Sequence, residues 1–72
     1  MKRTHVNSSV LRSYAYEPQS KIFEVKLVSG EVYQYYDVPQ ELYDWFLKAK
    51  SKGNYYNTVI KPGREYKQIE LF

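Results

Sequence analysis

The sequence predicts an α+β domain: a small, curled antiparallel sheet packed on one helix and a short second helix, in the order β-β-β-α-(α)-β. Three observations predict it. Phe23, Val25 and Leu27 alternate with Glu24 and Lys26, the period of a strand with one buried face. Leu42, Trp45, Phe46 and Ala49 follow the 3, 4, 7 spacing of a helix with one apolar stripe. Pro18, Gly30 and Pro39 fall between these segments rather than inside them, where turns belong.

The elements follow in order. Residues 10–16 are rich in β-branched and aromatic side chains and form the first strand. Glu17-Pro18-Gln19-Ser20 is a turn, with Pro18 at its first central position. Residues 21–28 form the second strand. Ser29-Gly30 turns the chain, because glycine tolerates positive φ, and residues 31–37 return as the third. A plain two-residue loop would set Val25 opposite Gln34. One extra residue sets Val25 opposite Tyr35 and Leu27 opposite Tyr33, and this bulged register is the expectation, because it puts both tyrosines on the apolar face.

Pro39 suits the first helical position, where its missing N–H would be unpaired anyway. Glu41 and Asp44 complement the positive end of that helix, and Lys48, Lys50 and Lys52 its negative end. Gly53 is the expected C-cap. Tyr55, Tyr56, Val59 and Ile60 predict a short second helix that Lys61-Pro62-Gly63 ends. Residues 65–71 supply a C-terminal edge strand. Residues 1–6 are read as a flexible basic tail and 7–72 as a single domain, the only number of domains that 72 residues allow.

Composition narrows the function. With no cysteine there is neither a disulfide nor a thiolate metal site. His5 is the single histidine, and no loop presents acids at calcium-binding spacing. The expected cofactor set is therefore empty. No apolar run approaches the roughly 20 residues of a membrane span, and no apolar stretch follows the basic Met1-Lys2-Arg3-Thr4-His5. A soluble, cytoplasmic protein without a membrane partner is the expectation.

Catalysis finds little support. Ser8 and Ser9 are hydroxyls without a positioned base, and such residues commonly bond nearby backbone. Among Glu17, Asp37, Glu41 and Asp44, no pair is marked for acid–base work, and Asp37 suits a turn or cap. A free tyrosine, with its pKa of about 10, is a poor base. The three glycines stand at turns, not in a phosphate loop. The protein is expected not to be an enzyme.

Binding is better served. Nine tyrosines are a large share of so small a chain, and each combines an apolar ring with a hydroxyl that wants a partner. Charge is segregated. Residues 1–16 carry Lys2, Arg3 and Arg12 with no acid, residues 17–44 carry two lysines against six acids, and residues 45–72 carry six basic residues against two acids. Stacking rings beside cations suit single-stranded nucleic acid or a nucleotide. The candidate site residues are Tyr33, Tyr35, Tyr36, Lys50, Ser51, Lys52, Gly53, Tyr55, Tyr56, Asn57 and Arg64. Strand alternation divides them: with Tyr33 and Tyr35 on the core face, Tyr36 faces the other way with Gln34. Ser51 and Asn57 are equally suited to capping helix carbonyls, and Tyr33 and Tyr35 to the core.

The order of motifs resembles the KTSC family, whose domain occurs at the C-terminus of some lysyl-tRNA synthetases and as small stand-alone proteins. Ser8-Ser9 and Tyr16 match its first strand. Phe23-x-Val25-x-Leu27-x-x-Gly30-x-x-Tyr33-x-Tyr35-x-x-Val38-Pro39 matches its hairpin, and Ala49-x-Ser51-x-Gly53-x-Tyr55-Tyr56-Asn57-x-x-Ile60 its helix end. The likeness covers about residues 7–68. Tyr56 stands where phenylalanine is common, and Ala15 where glycine is common. The resemblance implies no established activity, suggests RNA as a partner, and groups Ser51, Gly53, Tyr55 and Asn57 as a unit that, with Lys50 or Lys52, would hold an anion. Two other readings stand beside RNA. One is a homo-oligomeric sponge that sequesters a cyclic nucleotide signal, as some phage anti-defence proteins do. The other is a protein-interaction domain using Tyr36, Tyr43 and Trp45.

Overall fold

The computed structural model describes residues 1–69. Its strands are β1 (Thr4–His5), β2 (Leu11–Glu17), β3 (Ile22–Leu27), β4 (Val32–Tyr35) and β5 (Tyr66–Ile69). They form one antiparallel sheet in the order β1-β2-β3-β4-β5. Between β4 and β5 lie α1 (Gln40–Lys48), α2 (Lys52–Tyr55) and a π-helical turn, Tyr56–Ile60. The α+β class and the edge strand at the C-terminal end agree with expectation; residues 70–71 of the predicted edge strand lie outside the described residues. Four strands rather than three precede α1, because the segment read as a basic tail pairs through Thr4 and His5 with Tyr14 and Ser13.

The register of the β3–β4 hairpin differs from the expected one. Val25 faces Tyr33, and Phe23 faces Tyr35. The loop has three residues, but the third is Val28 rather than Glu31. The Gly30 N–H donates to the Leu27 carbonyl at 2.9 Å, and the Leu27 N–H to the Glu31 carbonyl at 2.9 Å. Gly30 closes the loop at φ 107, a conformation that the last position of a three-residue hairpin demands of glycine. The two tyrosines still share the face of Val25 and Phe23, because both registers preserve the side-chain parity.

In β2 a register shift between Leu11 and Ser13 changes that parity. Leu11 therefore lies on the core face together with Tyr14 and Tyr16, while Ser13 and Ala15 take the other face. The core joins Leu11, Tyr14, Phe23, Val25 and Tyr35 of the sheet to Val38, Phe46, Tyr56 and Ile60. On the opposite face Glu24 is buried, and both its oxygens are satisfied. Arg3 Nη1 donates to Oε2 at 2.9 Å and Gln34 Nε2 to Oε1 at 2.9 Å. A buried carboxylate is tolerated on such terms.

Helix α1 starts one residue later than predicted. Pro39 is its N-cap, extended at φ −67 and ψ 153. The expected buried stripe is rotated as well: Trp45 is 62% exposed. Tyr43 turns inward in its place and stacks on Tyr16 with ring centroids 4.4 Å apart. Residues two apart on a helix point about 200° apart, so Tyr43 and Trp45 cannot both face the sheet. The tyrosine rings of β2 select Tyr43. The hydroxyl of Tyr16 donates to the Val38 carbonyl just ahead of the helix.

Gly53 is not the C-cap; Ala49 is. Gly53 lies inside α2 and is buried. A Cβ there would stand 3.0 Å from Ser8 Oγ and 3.0 Å from both Val10 Cβ and Cγ2. The glycine is required by close approach of α2 to the segment ahead of β2. Alanine in a helix is favoured over glycine by up to about 1 kcal/mol, whereas overpacking a tight contact costs about 1–3 kcal/mol. Val10 Cβ is fixed to its backbone and cannot yield, so the second effect dominates. Gly53→Ala should therefore destabilise the fold by about 1–2 kcal/mol, read as a lower urea midpoint in chemical denaturation. An unchanged or raised midpoint would contradict this packing.

Candidate functional site

The sequence-predicted binding residues do not form one site. The fold divides them between two clefts and leaves four outside both.

The first cleft has a volume of about 420 Å³ and is lined by Tyr33, Tyr35, Tyr56, Tyr66, Lys61 and Arg64, among others. Strand pairing builds its walls, since β4–β5 register sets Tyr35 beside Tyr66 and Tyr33 beside Gln68. The Tyr66 ring lies 5.7 Å from that of Tyr33 and 5.7 Å from that of Tyr35. Tyr56 meets Tyr35 edge-on at 5.6 Å. The π turn supplies this placement. Its Lys61 N–H reaches back to the Tyr56 carbonyl at 2.9 Å, and both Tyr56 and Ile60 face inward. Such turns occur often at functional sites.

The rings have unequal roles. Tyr35 and Tyr56 are buried, and their hydroxyls bond each other at 2.6 Å. They form the floor. Burial pushes the Tyr56 hydroxyl well above the ordinary tyrosine value, and its hydrogen bond with Tyr35 adds to this. Burial also raises Tyr35, against a smaller lowering by its bond with Tyr56. Both stay protonated at physiological pH and present a neutral floor. Tyr33 is half-buried and Tyr66 is 59% exposed, so these two offer faces to a ligand.

Arg64 is held by the chain itself. Its Nε donates to the Ile60 carbonyl at 2.8 Å and its Nη1 to the Asp37 carbonyl at 2.7 Å. Asp37 takes φ 58, a turn conformation that aspartate tolerates. Arg64 thus caps the helical segment and fixes a guanidinium at the cleft's edge, with Lys61 exposed nearby. Sequence reasoning omitted Tyr66 from the site. The Tyr66-x-Gln68 alternation, set against Tyr33-x-Tyr35, was the signal available for Tyr66.

The second cleft, of about 300 Å³, is polar. Lys50, Ser51 and Lys52 line it together with Ser8 and Ser9. Ser51 is the N-cap of α2, accepting from the Asn54 N–H at 3.2 Å. Ser8 Oγ accepts from the N–H groups of Val10 at 3.0 Å and Leu11 at 3.2 Å, the local backbone bonding expected of it.

Four candidates lie outside both clefts. Tyr36 is on the far side of β4, where its hydroxyl donates to Gln34 Oε1 at 3.2 Å. Tyr55 is half-buried against Phe46 and donates to the Leu42 carbonyl at 3.0 Å. Gly53 is buried by the packing described above, and Asn57 is exposed on the π turn. The helix-end pair is therefore split, with Tyr56 in the floor of the aromatic cleft and Tyr55 tying α2 to α1.

With these positions in hand, the KTSC domain family model matches residues 7–66. The chain belongs to the KTSC domain family. A crystal structure of a KTSC domain protein from Yersinia pestis superposes with a TM-score of 0.90 at 32% identity, covering 96% of this chain and 97% of that one. An uncharacterized protein of Stutzerimonas stutzeri is 45% identical over 62 residues, 86% of this chain and 87% of that protein. A lysine–tRNA ligase of Nostoc is 33% identical over 61 residues, 85% of this chain but 11% of the ligase. The KTSC fold thus occurs both as nearly the whole of a short chain and as a small part of a long one. Among the described residues no cluster of His, Cys, Asp or Glu could hold a metal ion, and no helix is long and apolar enough to cross a membrane.

The tyrosine floor makes stability depend on pH. Its folded-state hydroxyl values lie above the unfolded value of about 10, so the folded state keeps protons that the unfolded state gives up. Their contribution is complete below about pH 10 and is lost as pH rises through the folded values. Melting temperature should hold up to about pH 10 and fall above it, more shallowly in Tyr56→Phe. Tyr35→Phe should lower stability by about 1–3 kcal/mol at neutral pH, because it leaves the Tyr56 hydroxyl buried with its partner removed. Differential scanning calorimetry across pH checks both.

Proposed function

We propose that this KTSC protein is a non-enzymatic cytoplasmic module that binds single-stranded RNA, or a nucleotide, in its aromatic cleft. One observation carries the reading: the faces of Tyr33 and Tyr66 open onto a cleft whose rim holds Lys61 and the backbone-anchored Arg64. Each ring can stack a base, and the cations meet the phosphate. Arg64 is already oriented, which lowers the ordering cost of binding. The volume of about 420 Å³ suits one nucleotide unit. The likeness to part of a lysine–tRNA ligase favours RNA among nucleic acids.

The exposed Trp45, with Lys48 Nζ 5.5 Å from its ring, favours a protein partner as the second reading. Of the three residues expected in that patch, however, Tyr43 is packed against Tyr16 and Phe46. A cyclic-nucleotide sponge would use the same aromatic cleft as RNA and would differ in assembling as a discrete oligomer.

Fluorescence anisotropy with short labelled RNA and with cyclic nucleotides separates these readings. RNA affinity should fall steeply with salt. Tyr66→Ala should weaken it by about 5- to 150-fold, the loss of one stacked base. Lys61→Gln should weaken it for all sequences alike and flatten the salt slope by about one. No binding of RNA, DNA or any nucleotide to the wild type at low salt would end the reading. Binding that persists at high salt and needs Trp45 would favour the protein partner.

A further inference from the structure

The polar cleft is a separate feature, made where two distant parts of the chain meet. α2 is pressed so closely on the segment ahead of β2 that Gly53 has no room for a side chain beside Ser8 and Val10. This contact brings Ser8 and Ser9 into one cavity with Lys50, Ser51 and Lys52.

Hydrogen-bond capacity decides what that cavity can hold. A serine hydroxyl has two acceptor positions and one donor hydrogen. Ser8 Oγ already accepts from two backbone N–H groups, so only its hydrogen remains to be offered. Ser51 Oγ accepts from Asn54 N–H alone and retains its hydrogen and one acceptor position. The two lysines supply donors alone. Among the described residues no carboxylate lines the cavity. Lys52 is partly fixed, with its ammonium 6.0 Å from the Phe46 ring centroid. Asn7 and Ser9 also line the cavity and offer acceptors as well as donor hydrogens. With the six ammonium hydrogens of the two lysines, donors still outnumber acceptors, and two of the lining groups are positively charged. A neutral or cationic ligand would leave these groups poorly matched, whereas a tetrahedral oxyanion presents acceptors in several directions at once.

We propose that this cleft is a phosphate-binding site, with Lys50 and Lys52 providing charge and Ser8, Ser9 and Ser51 hydroxyl donors. It is independent of the aromatic cleft and stands or falls separately from the RNA reading. The phosphate can be free or part of a nucleic-acid backbone, and the chemistry of recognition is the same.

The test is an amide chemical-shift titration of the full chain at low ionic strength, with inorganic phosphate in one arm and a short single-stranded oligonucleotide in the other. Saturable shifts should centre on residues 7–10 and 50–53. The Lys50→Gln/Lys52→Gln variant should weaken binding at least tenfold, and Tyr66→Ala should leave the phosphate arm unchanged. Lys50 is exposed and Lys52 half-buried, so an unaltered amide spectrum of the unliganded variant serves as the folding control. Ser9→Ala, at an exposed position, should weaken binding by a smaller factor. Saturation by inorganic phosphate identifies a site for the free ion; saturation by the oligonucleotide alone identifies a backbone diester. Shifts absent from both arms would overturn the proposal, as would shifts spread equally over Lys21 and Lys61 or a titration unaltered in the double-lysine variant.

Discussion

The bond between the hydroxyls of Tyr35 and Tyr56 is the contact on which the rest of the molecule depends. It joins the sheet to the π turn beneath the aromatic cleft, where both tyrosines are buried. A hydroxyl buried without a partner costs about 1–3 kcal/mol, so the two tyrosines are obliged to find each other. Their meeting sets the depth at which the turn seats. That seating places Ile60 in the core, and Arg64 then caps the Ile60 carbonyl.

The clefts follow from this seating. Running from α2 into the π turn, the chain presses Gly53 on Ser8 and Val10 near one end and sets Lys61 and Arg64 beside β4 and β5 near the other. A small domain has little apolar surface to bury, and here rings supply much of it. Tyr14, Phe23 and Phe46 meet edge-on in the centre, while Tyr16 and Tyr43 stack at the margin. Aromatic burial and ligand stacking draw on the same residue type, so neighbouring tyrosines of one strand do both. Tyr35 is core and Tyr33 is half-exposed, although they lie two residues apart on one face.

Charge is arranged with similar economy. Glu24 is enclosed on the far face of the sheet and takes its partners from Gln34 on β4 and from Arg3, just ahead of β1. That pairing gives β1 a reason to add to the sheet, and it removes one of the few acids from contact with the basic surfaces. Of the six basic residues in the C-terminal half, Lys50 and Lys52 line the polar cleft, and Lys61 and Arg64 the aromatic one.

The sequence by itself determined the fold class, the strand face that Phe23 and Val25 share with Tyr33 and Tyr35, and the family. These rest on local periodicity, turn chemistry and motif order, all of which act over a few residues. Register, helix rotation and the roles of individual rings were decided by the tertiary structure. The hairpin loop took in Val28 because Gly30 needed its last position. Tyr43 displaced Trp45 because β2 offered tyrosine rings to stack on. Gly53 lost its expected capping role because its constraint comes from Ser8 and Val10, far away in the chain. For the same reason the candidate residues between Lys50 and Arg64 part: Lys50, Ser51 and Lys52 line the polar cleft, Tyr56 and Arg64 the aromatic one, and Gly53, Tyr55 and Asn57 neither. A side chain's role is set by what packs across from it, and the packing partners here come from other strands.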